Sequence, residues 1–548
     1  MKNYIKTLAL ALGLGMAAAC GDLAVENLNA PDRTKAITTP NDVEALISGG
    51  FANWHRAGNY SVVALTMTCL ADGMTSSWGN FGWRHACSEP RVAWNNEPSW
   101  GYAYLTDNTW TYSYRALAGM RDGLVAIEGG VTLDEQHRAQ TYAAFTQGLV
   151  LTRLANTFDQ AFIITEETDL SDPNNLPTLA SYMEVHQAGM ARLDQAISMA
   201  GQGSFSIPQA WVGFEGDWDN ARLMGLANGY KARNMISVAR DEASRTATDW
   251  NAVLAAVAAA HTDDYDPYYD GDNWVWSRLK HRSGGGGYPG WNRLDMNFVG
   301  VTDQSGNYQA WLNTPLEQRQ AFQIDTDDRR ITDGTPTGEG LYARYWASIP
   351  FRPERGTYHF SHYGDNRWRP LWENDWIGNY TEFPVKELDF IKAEALYRTG
   401  DMQGALEIVN KYRTMNGQLP PATLDGVSGP RCTPRRQYST GGECADFWEV
   451  LKYEKAMEIY NYGAGTAFYD DRGWGDLITG SPIHFPVPGS ELDLLLLDIY
   501  TFGGGGPGSA PRIFNNSTDD ATIRWKREAL EAFDQAMAEE RLHPGAIR

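Results

Sequence analysis

The sequence predicts a mainly α fold, built from tetratricopeptide-like helical hairpins with long aromatic-rich loops and little β structure. Three observations carry that prediction. Apolar residues recur at helical spacing through 139–156, 181–200, 220–238, 250–261 and 385–417. Pro, Asn and Gly gather in the connections between those stretches. The stretches 76–110 and 265–369 have no period and are rich in Gly, Pro, Asn and Trp, as expected of long loops that form functional surfaces.

At the N-terminus, Lys2 and Lys6 precede an apolar or Gly run at 7–16, followed by Ala17, Ala18, Ala19 and Cys20. Ten residues are too few to cross a bilayer, and the order of charge, apolar run and small residues is that of a secretory signal. A cut after Ala19 leaves Cys20 at the new N-terminus, a lipobox-like arrangement, so 1–19 reads as a lipoprotein signal peptide and Cys20 as the lipidated anchor. No later stretch comes near eighteen unbroken apolar residues.

Cys20 also accounts for the odd number of cysteines. The other four, Cys69, Cys87, Cys432 and Cys444, fall in two local pairs, and each pair would close a short loop for about 3 kcal/mol in the chain-entropy model. Four cysteines allow three pairings, and four buried thiols are the alternative. Neither a CxxC pair nor a Cys/His cluster at zinc spacing occurs.

The formal net charge is −22 for the full sequence and about −24 once Lys2 and Lys6 leave with the leader. Such a surface argues against nucleic acid and polyanionic ligands. The clearest hairpin is 385–417. In it Leu388, Ile391, Ala395 and Leu396 form one helical stripe, Gly400-Asp401 breaks it, and Ala405, Leu406, Val409 and Tyr412 resume it.

Twenty Trp and 27 Tyr are many for 548 residues, and they cluster in the two non-periodic stretches. An aromatic face matches the C–H face of a pyranose, and a neighbouring amide can read its hydroxyls. Trp78, Trp83, Trp274 and Trp291, with Tyr288 and the amides Asn80 and Asn292, are therefore the candidate ligand-binding residues. The alternative is that these rings are core, as Trp is on average; Trp110 and Tyr114 are expected to open a helix and pack inward.

Signals for catalysis are lacking. There is no GxSxG, HExxH or Walker A motif, and the GxGxxG at Gly285, Gly287 and Gly290 lies in a Pro-containing run where no strand-to-helix turn fits. The acidic stretch 263–272 lacks calcium-loop spacing and reads as a solvated loop. No cofactor, metal or catalytic residue is expected.

The hairpin 385–417, the run YEKAMEIYNYGAGTAFYDDRGWGDL (453–477) and FPVPGSEL (485–492) together resemble the SusD/RagB family of surface nutrient-binding lipoproteins. Glu458, Gly463, Phe468, Tyr469, Asp470, Arg472, Trp474, Gly475, Pro486, Pro488 and Glu491 stand in the family's order. TPNDVEALISGGFANW (39–54) and TDDRR (326–330) are similar to further family features. The resemblance implies a helical lid, tied by lipid to the outer membrane and facing the cell exterior. Such a lid sits on a SusC-like TonB-dependent barrel, captures an oligosaccharide or peptide, and passes it inward without chemistry. On this reading 20–548 is one SusD-like nutrient-binding domain, with hairpins within about 139–261 and 385–417 and a C-terminal extension over 501–548. Nucleic acid is not an expected partner. The alternatives are a secreted glycosidase or esterase with a helical fold, and a ligand-free structural surface protein.

Overall fold

The computed structural model describes residues 37, 39–60, 62–170, 176–213, 216–271, 291–348 and 359–510. Residues 1–36 with Cys20, the stretch carrying Trp274 and Tyr288, and the charged segment 521–537 lie outside the described residues. The principal helices are α1 (Pro40–Ser48), α2 (Gly50–Asn59), α3 (Ala64–Leu70), α4 (Trp83–Cys87), α5 (Tyr104–Glu128), α6 (Gln136–Thr157) and α7 (Tyr182–Ala200). They continue with α8 (Asn220–Ser237), α9 (Trp250–Ala258), α10 (Val385–Thr399), α11 (Met402–Met415), α12 (Phe447–Ile459) and α13 (Thr466–Trp474).

Local chemistry sets where these helices start and stop. Capping boxes open α1 (Thr39 with Asp42) and α7 (Ser181 with Glu184), while Asp219, Asp249, Asp401 and Asp446 cap α8, α9, α11 and α12. Gly400, at φ 95°, ends α10 in the left-handed region and lets Asp401 begin α11 at once. That turn is the break expected within 385–417.

From α5 to α12 each helix packs on the next in the chain, giving a continuous stack of hairpins. Helices α6 and α7 approach closely. A Cβ at Gly148 would lie 2.7 Å from Leu193 Cγ, and one at Gly189 would lie 2.9 Å from the Thr152 backbone nitrogen, so only glycine lets these backbones meet. The core of the stack runs from Val43 and Phe51 through Tyr142, Leu151, Leu226 and Ile391.

The chain leaves the stack after α9 and returns at α10. Short antiparallel ladders involve this excursion, where the sequence showed no period: its β2 (Arg293–Leu294) pairs with β1 (Met74–Thr75) from the loop after α3, and its β3 (Ala343–Tyr345) with β4 (Tyr363–Asp365). Two or three residues are too few to display alternation. The first non-periodic stretch also holds α4 and the first turns of α5, and Trp110 is buried within α5 as expected. A second core, with Met296, Val299, Tyr308, Trp311 and Tyr363, packs the excursion against Tyr453 and Met457 of α12 and Tyr460 just after it. Cys69 pairs with Cys87 and Cys432 with Cys444, at Cα separations of 5.0 and 5.8 Å.

Buried ion networks join these parts. Glu454 and Glu458 on α12 are fully buried. Arg330 Nη1 donates to both, at 2.6 and 3.0 Å, while its Nη2 donates to Asp328 at 2.7 Å. Arg413 on α11 donates to the other Glu454 oxygen at 2.8 Å. In a second network Arg245 donates to Glu394 of α10 at 2.6 Å and to Asp470 of α13 at 2.9 Å, and Lys455 reaches Asp470 at 2.8 Å. Trp474 Nε1 donates to Glu394 at 3.1 Å. Arg472 donates to the carbonyls of Ala239, Asn156, Ile483 and Ser237 at 2.5–3.0 Å, tying α6 and the end of α8 to the strand-like run after α13.

Burial alone would raise the Glu394 pKa, but the facing Arg245 guanidinium outweighs it and holds the carboxyl down to about 2. A depressed carboxyl contributes stability that is complete above its unfolded value of 4.5 and is lost as pH falls through the folded one. Thermal melts should show about 3 kcal/mol of stability disappearing between pH 4.5 and 2. Glu394→Gln should begin less stable and flatten that part of the profile; an unchanged slope would rule this carboxyl out as the source.

Candidate functional site

The β1–β2 ladder brings the two aromatic stretches together. Its register, Met74 opposite Leu294 and Thr75 opposite Arg293, sets residues 76–82 beside 291–292. Ser76 Oγ donates to the Trp291 carbonyl at 2.6 Å and accepts from the Trp78 backbone N–H at 3.1 Å, so one hydroxyl fixes both chains. The Trp78 and Trp291 rings lie 6.2 Å apart at 39°, and Phe81 lies 6.1 Å from Trp291 at 37°. All three are partly exposed and form an aromatic shelf.

The shelf rests on a small apolar core of Leu65, Cys69, Met74, Trp83, Ala86 and Cys87. The paired cysteines tie α3 to α4, the two helices that bracket the loop carrying Trp78 and Phe81. Phe81 has φ 58° and Gly82 φ 67°. A bulky residue in the left-handed region costs about 1 kcal/mol or more, and such strain gathers where a side chain must be aimed.

Behind the ladder Asp72, Asp295 and His359, all buried, bring carboxylate and imidazole atoms within 4.8 Å of one another. Their chemistry could hold a cation, but internal groups already match it. Arg91 donates to Asp72 at 2.7 Å and Tyr438 does so at 2.6 Å. His359 sits against Glu89 and lies 3.4 Å from Asp295. Burial would lower the His359 pKa, and the facing Asp295 and Glu89 carboxylates instead push it up to about 10. The imidazolium therefore supplies positive charge there. In the ladder itself, burial pushes Arg293 down to about 9.

No family model and no curated protein matches the sequence. Solved structures do match. A SusD superfamily protein from Bacteroides vulgatus superposes with a TM-score of 0.52 at 14% identity, over 83% of this chain and 96% of that one. One from Bacteroides thetaiotaomicron gives 0.51 at 13% identity, over 86% and 100%. One from Bacteroides fragilis gives 0.50 at 14%, over 84% and 99%.

The fold is SusD-like.

Within this SusD-like frame the candidate residues separate. Trp78 and Trp291 stand together on the shelf, and Phe81, not among the sequence candidates, joins them; its place in the NFGW run beside Trp83 was the available signal. Trp83, expected in the loop surface, is fully buried and faces Trp291 edge-on at 6.2 Å, so it supports the shelf from beneath. Asn292 is likewise fully buried, its Nδ2 directed at Met74 Sδ at 3.4 Å, because the whole run 292–294 packs inward against the partner strand and neither face of the ladder is solvated. Trp274 and Tyr288 lie outside the described residues, as does the side chain of Asn80. Residues of the family-like motifs, Glu458, Asp470, Arg472, Trp474 and Asp328 to Arg330 among them, bind one another or the backbone and belong to the scaffold.

Trp83→Ala should remove a fully buried indole and lower stability by about 3–5 kcal/mol in denaturant unfolding. A loss under about 1 kcal/mol would show that the shelf does not depend on this ring.

Proposed function

We propose that the protein is a lipid-anchored outer-membrane surface protein that binds a neutral oligosaccharide and delivers it, without chemistry, to a SusC-like TonB-dependent barrel. The observation that carries this reading is the aromatic shelf of Trp78, Phe81 and Trp291 on a SusD-like scaffold. Flat, partly exposed rings suit the C–H faces of sugar rings. The net charge of −22 disfavours anionic ligands. Solvent competes for each hydroxyl, so affinity is expected to be micromolar or weaker, about −8 kcal/mol at best.

An exposed turn supports the partner. Leu494 is 80% and Leu496 93% exposed, flanked by Asp493 and Asp498. Water leaves such an apolar patch to a partner surface, and the acidic flanks favour a protein over an anionic bilayer. We assign this turn to the barrel.

Binding is tested by calorimetry on neutral glycan, acidic glycan and peptide panels. Trp78→Ala or Trp291→Ala should weaken binding of a neutral oligosaccharide by about 2 kcal/mol with little change in melting, and no new reducing ends should appear. Binding that survives both substitutions places the site elsewhere; preferential peptide binding replaces the sugar, and released sugar replaces the lid with a hydrolase.

The anchor and the partner are tested in membranes. Cys20→Ala should move the protein from the membrane fraction to the soluble fraction. Mild detergent extraction of the native protein should bring down a TonB-dependent barrel, and Leu496→Asp should reduce the barrel recovered while leaving the protein anchored. Retention of the Cys20 variant, or a native protein that always extracts alone, would refute the respective claim.

A further inference from the structure

Asp72 stands where the chain leaves α3 for β1, and it turns the backbone there with φ 49°, in the left-handed region. The next residue, Gly73, lets the second core close on this corner, because a Cβ there would lie 2.5 Å from Tyr460 Cε2. The Gly73 carbonyl accepts from the Asp295 N–H at 3.3 Å, one residue beyond β2. The direction in which β1 leaves this corner therefore sets where Trp78 meets Trp291.

The buried Asp72 carboxylate ties the corner down. Arg91 Nη2 donates to its Oδ1 at 2.7 Å, but the same guanidinium also donates to the Ala86, Ser88 and Cys69 carbonyls. Arg91 thus belongs to the α3–α4 unit and travels with the shelf. Asn297 Nδ2 donates to Oδ2 at 3.3 Å, from just beyond β2. The shortest of these contacts comes from a distant part of the chain: the Tyr438 hydroxyl donates to Oδ2 at 2.6 Å.

Tyr438 is delivered by a braced loop between α11 and α12. The Cys432–Cys444 bridge closes its base, the Arg436 N–H donates to the Glu443 carbonyl at 2.8 Å, and the Ser439 hydroxyl donates to the Glu443 carboxylate. The base is fastened twice more. Arg413 Nη2 donates to the Thr433 carbonyl at 2.6 Å, and the Arg435 N–H donates to the Val301 carbonyl at 2.7 Å. Arg413 is also a partner of Glu454, so the loop is continuous with the ion network on α12. Tyr438 itself has φ 59°. Two non-glycine residues in the left-handed region, bonded to each other, persist only where their surroundings over-determine them, and such strain gathers where a side chain must be aimed.

We propose that Tyr438 is a positioning residue for the aromatic shelf. Its hydroxyl fixes Asp72 from outside the shelf's own unit, and Asp72 fixes the course of β1 and the placing of Trp78 against Trp291. The effect on ligand rests on the shelf being the sugar site; the effect on the shelf does not.

The test is Tyr438→Phe in the full chain, which keeps the ring and removes the hydroxyl. Hydrogen exchange read by mass spectrometry should rise about fivefold or more in 74–82 and 291–294, with the α6–α7 hairpin and the melting temperature little changed. The double variant Cys432→Ser, Cys444→Ser, which opens the base of the loop, should raise exchange in the same two segments. Calorimetry should show a neutral oligosaccharide bound about fivefold more weakly by Tyr438→Phe, and no further weakening when the substitution is added to Trp78→Ala. Unchanged exchange at 74–82, or a rise spread evenly over the second core and the stack, would overturn the proposal. If Tyr438→Phe does not fold, the cysteine variant decides by the same two segments. Unsubstituted protein that binds no neutral oligosaccharide would refute the sugar reading alone, since the exchange result stands without ligand.

Discussion

The pairing of Glu454 and Glu458 with Arg330 and Arg413 is the constraint on which the rest of the structure depends. Two carboxylates one turn apart on α12 are fully buried, and both reach the same Arg330 Nη1. Placing such charges in the interior brings little net stability by itself, but leaving either partner alone there costs about 3–5 kcal/mol. The result is a demand for completeness. Arg330 belongs to the excursion between α9 and α10, and Arg413 to α11, so the excursion can dock only where both guanidinium groups meet α12. The register of the second core, and through Met296 and Leu294 that of the β1–β2 ladder, follows from this docking.

The same logic operates on the other side of α12. Lys455 points away from the Arg330 network toward Asp470, and Arg245 closes the circuit through Glu394. A single helix therefore carries two opposite charge clamps, one holding the excursion and one holding α10 and α13 to the stack. This explains why the motifs that resemble a binding family bind one another or the backbone. They encode fastening, and the aromatic shelf is carried by loops outside them.

Much of the stack was legible because its signals are local. The Gly400-Asp401 break, the capping aspartates and the apolar stripes each act within a few residues, and the helices appear where those signals stand. The aromatic loops were harder for a physical reason. Trp78 and Trp83 lie five residues apart in the same Gly/Asn-rich surroundings, yet one is partly exposed and the other fully buried. The difference comes from partners distant in sequence: β2 across the ladder, and the α3–α4 core beneath. No window of local composition contains them. Asn292 went the same way, buried with Arg293 and Leu294 beside a ladder too short to have a period to read.

In the proposed binding role, the Cys69–Cys87 bridge has a consequence for recognition. It closes the base of the loop that presents Trp78 and Phe81, while Ser76 pins that loop to Trp291. A loop secured at both ends has surrendered its conformational freedom during folding, so an incoming ligand need not order it again. Recognition at such a surface is a matter of fit to a standing shape, with fast association and selectivity expressed mainly in how long the ligand stays. The chemistry that sets this shape is the oxidation that closes the bridge, so the shelf is complete once the chain has folded and the two thiols have joined.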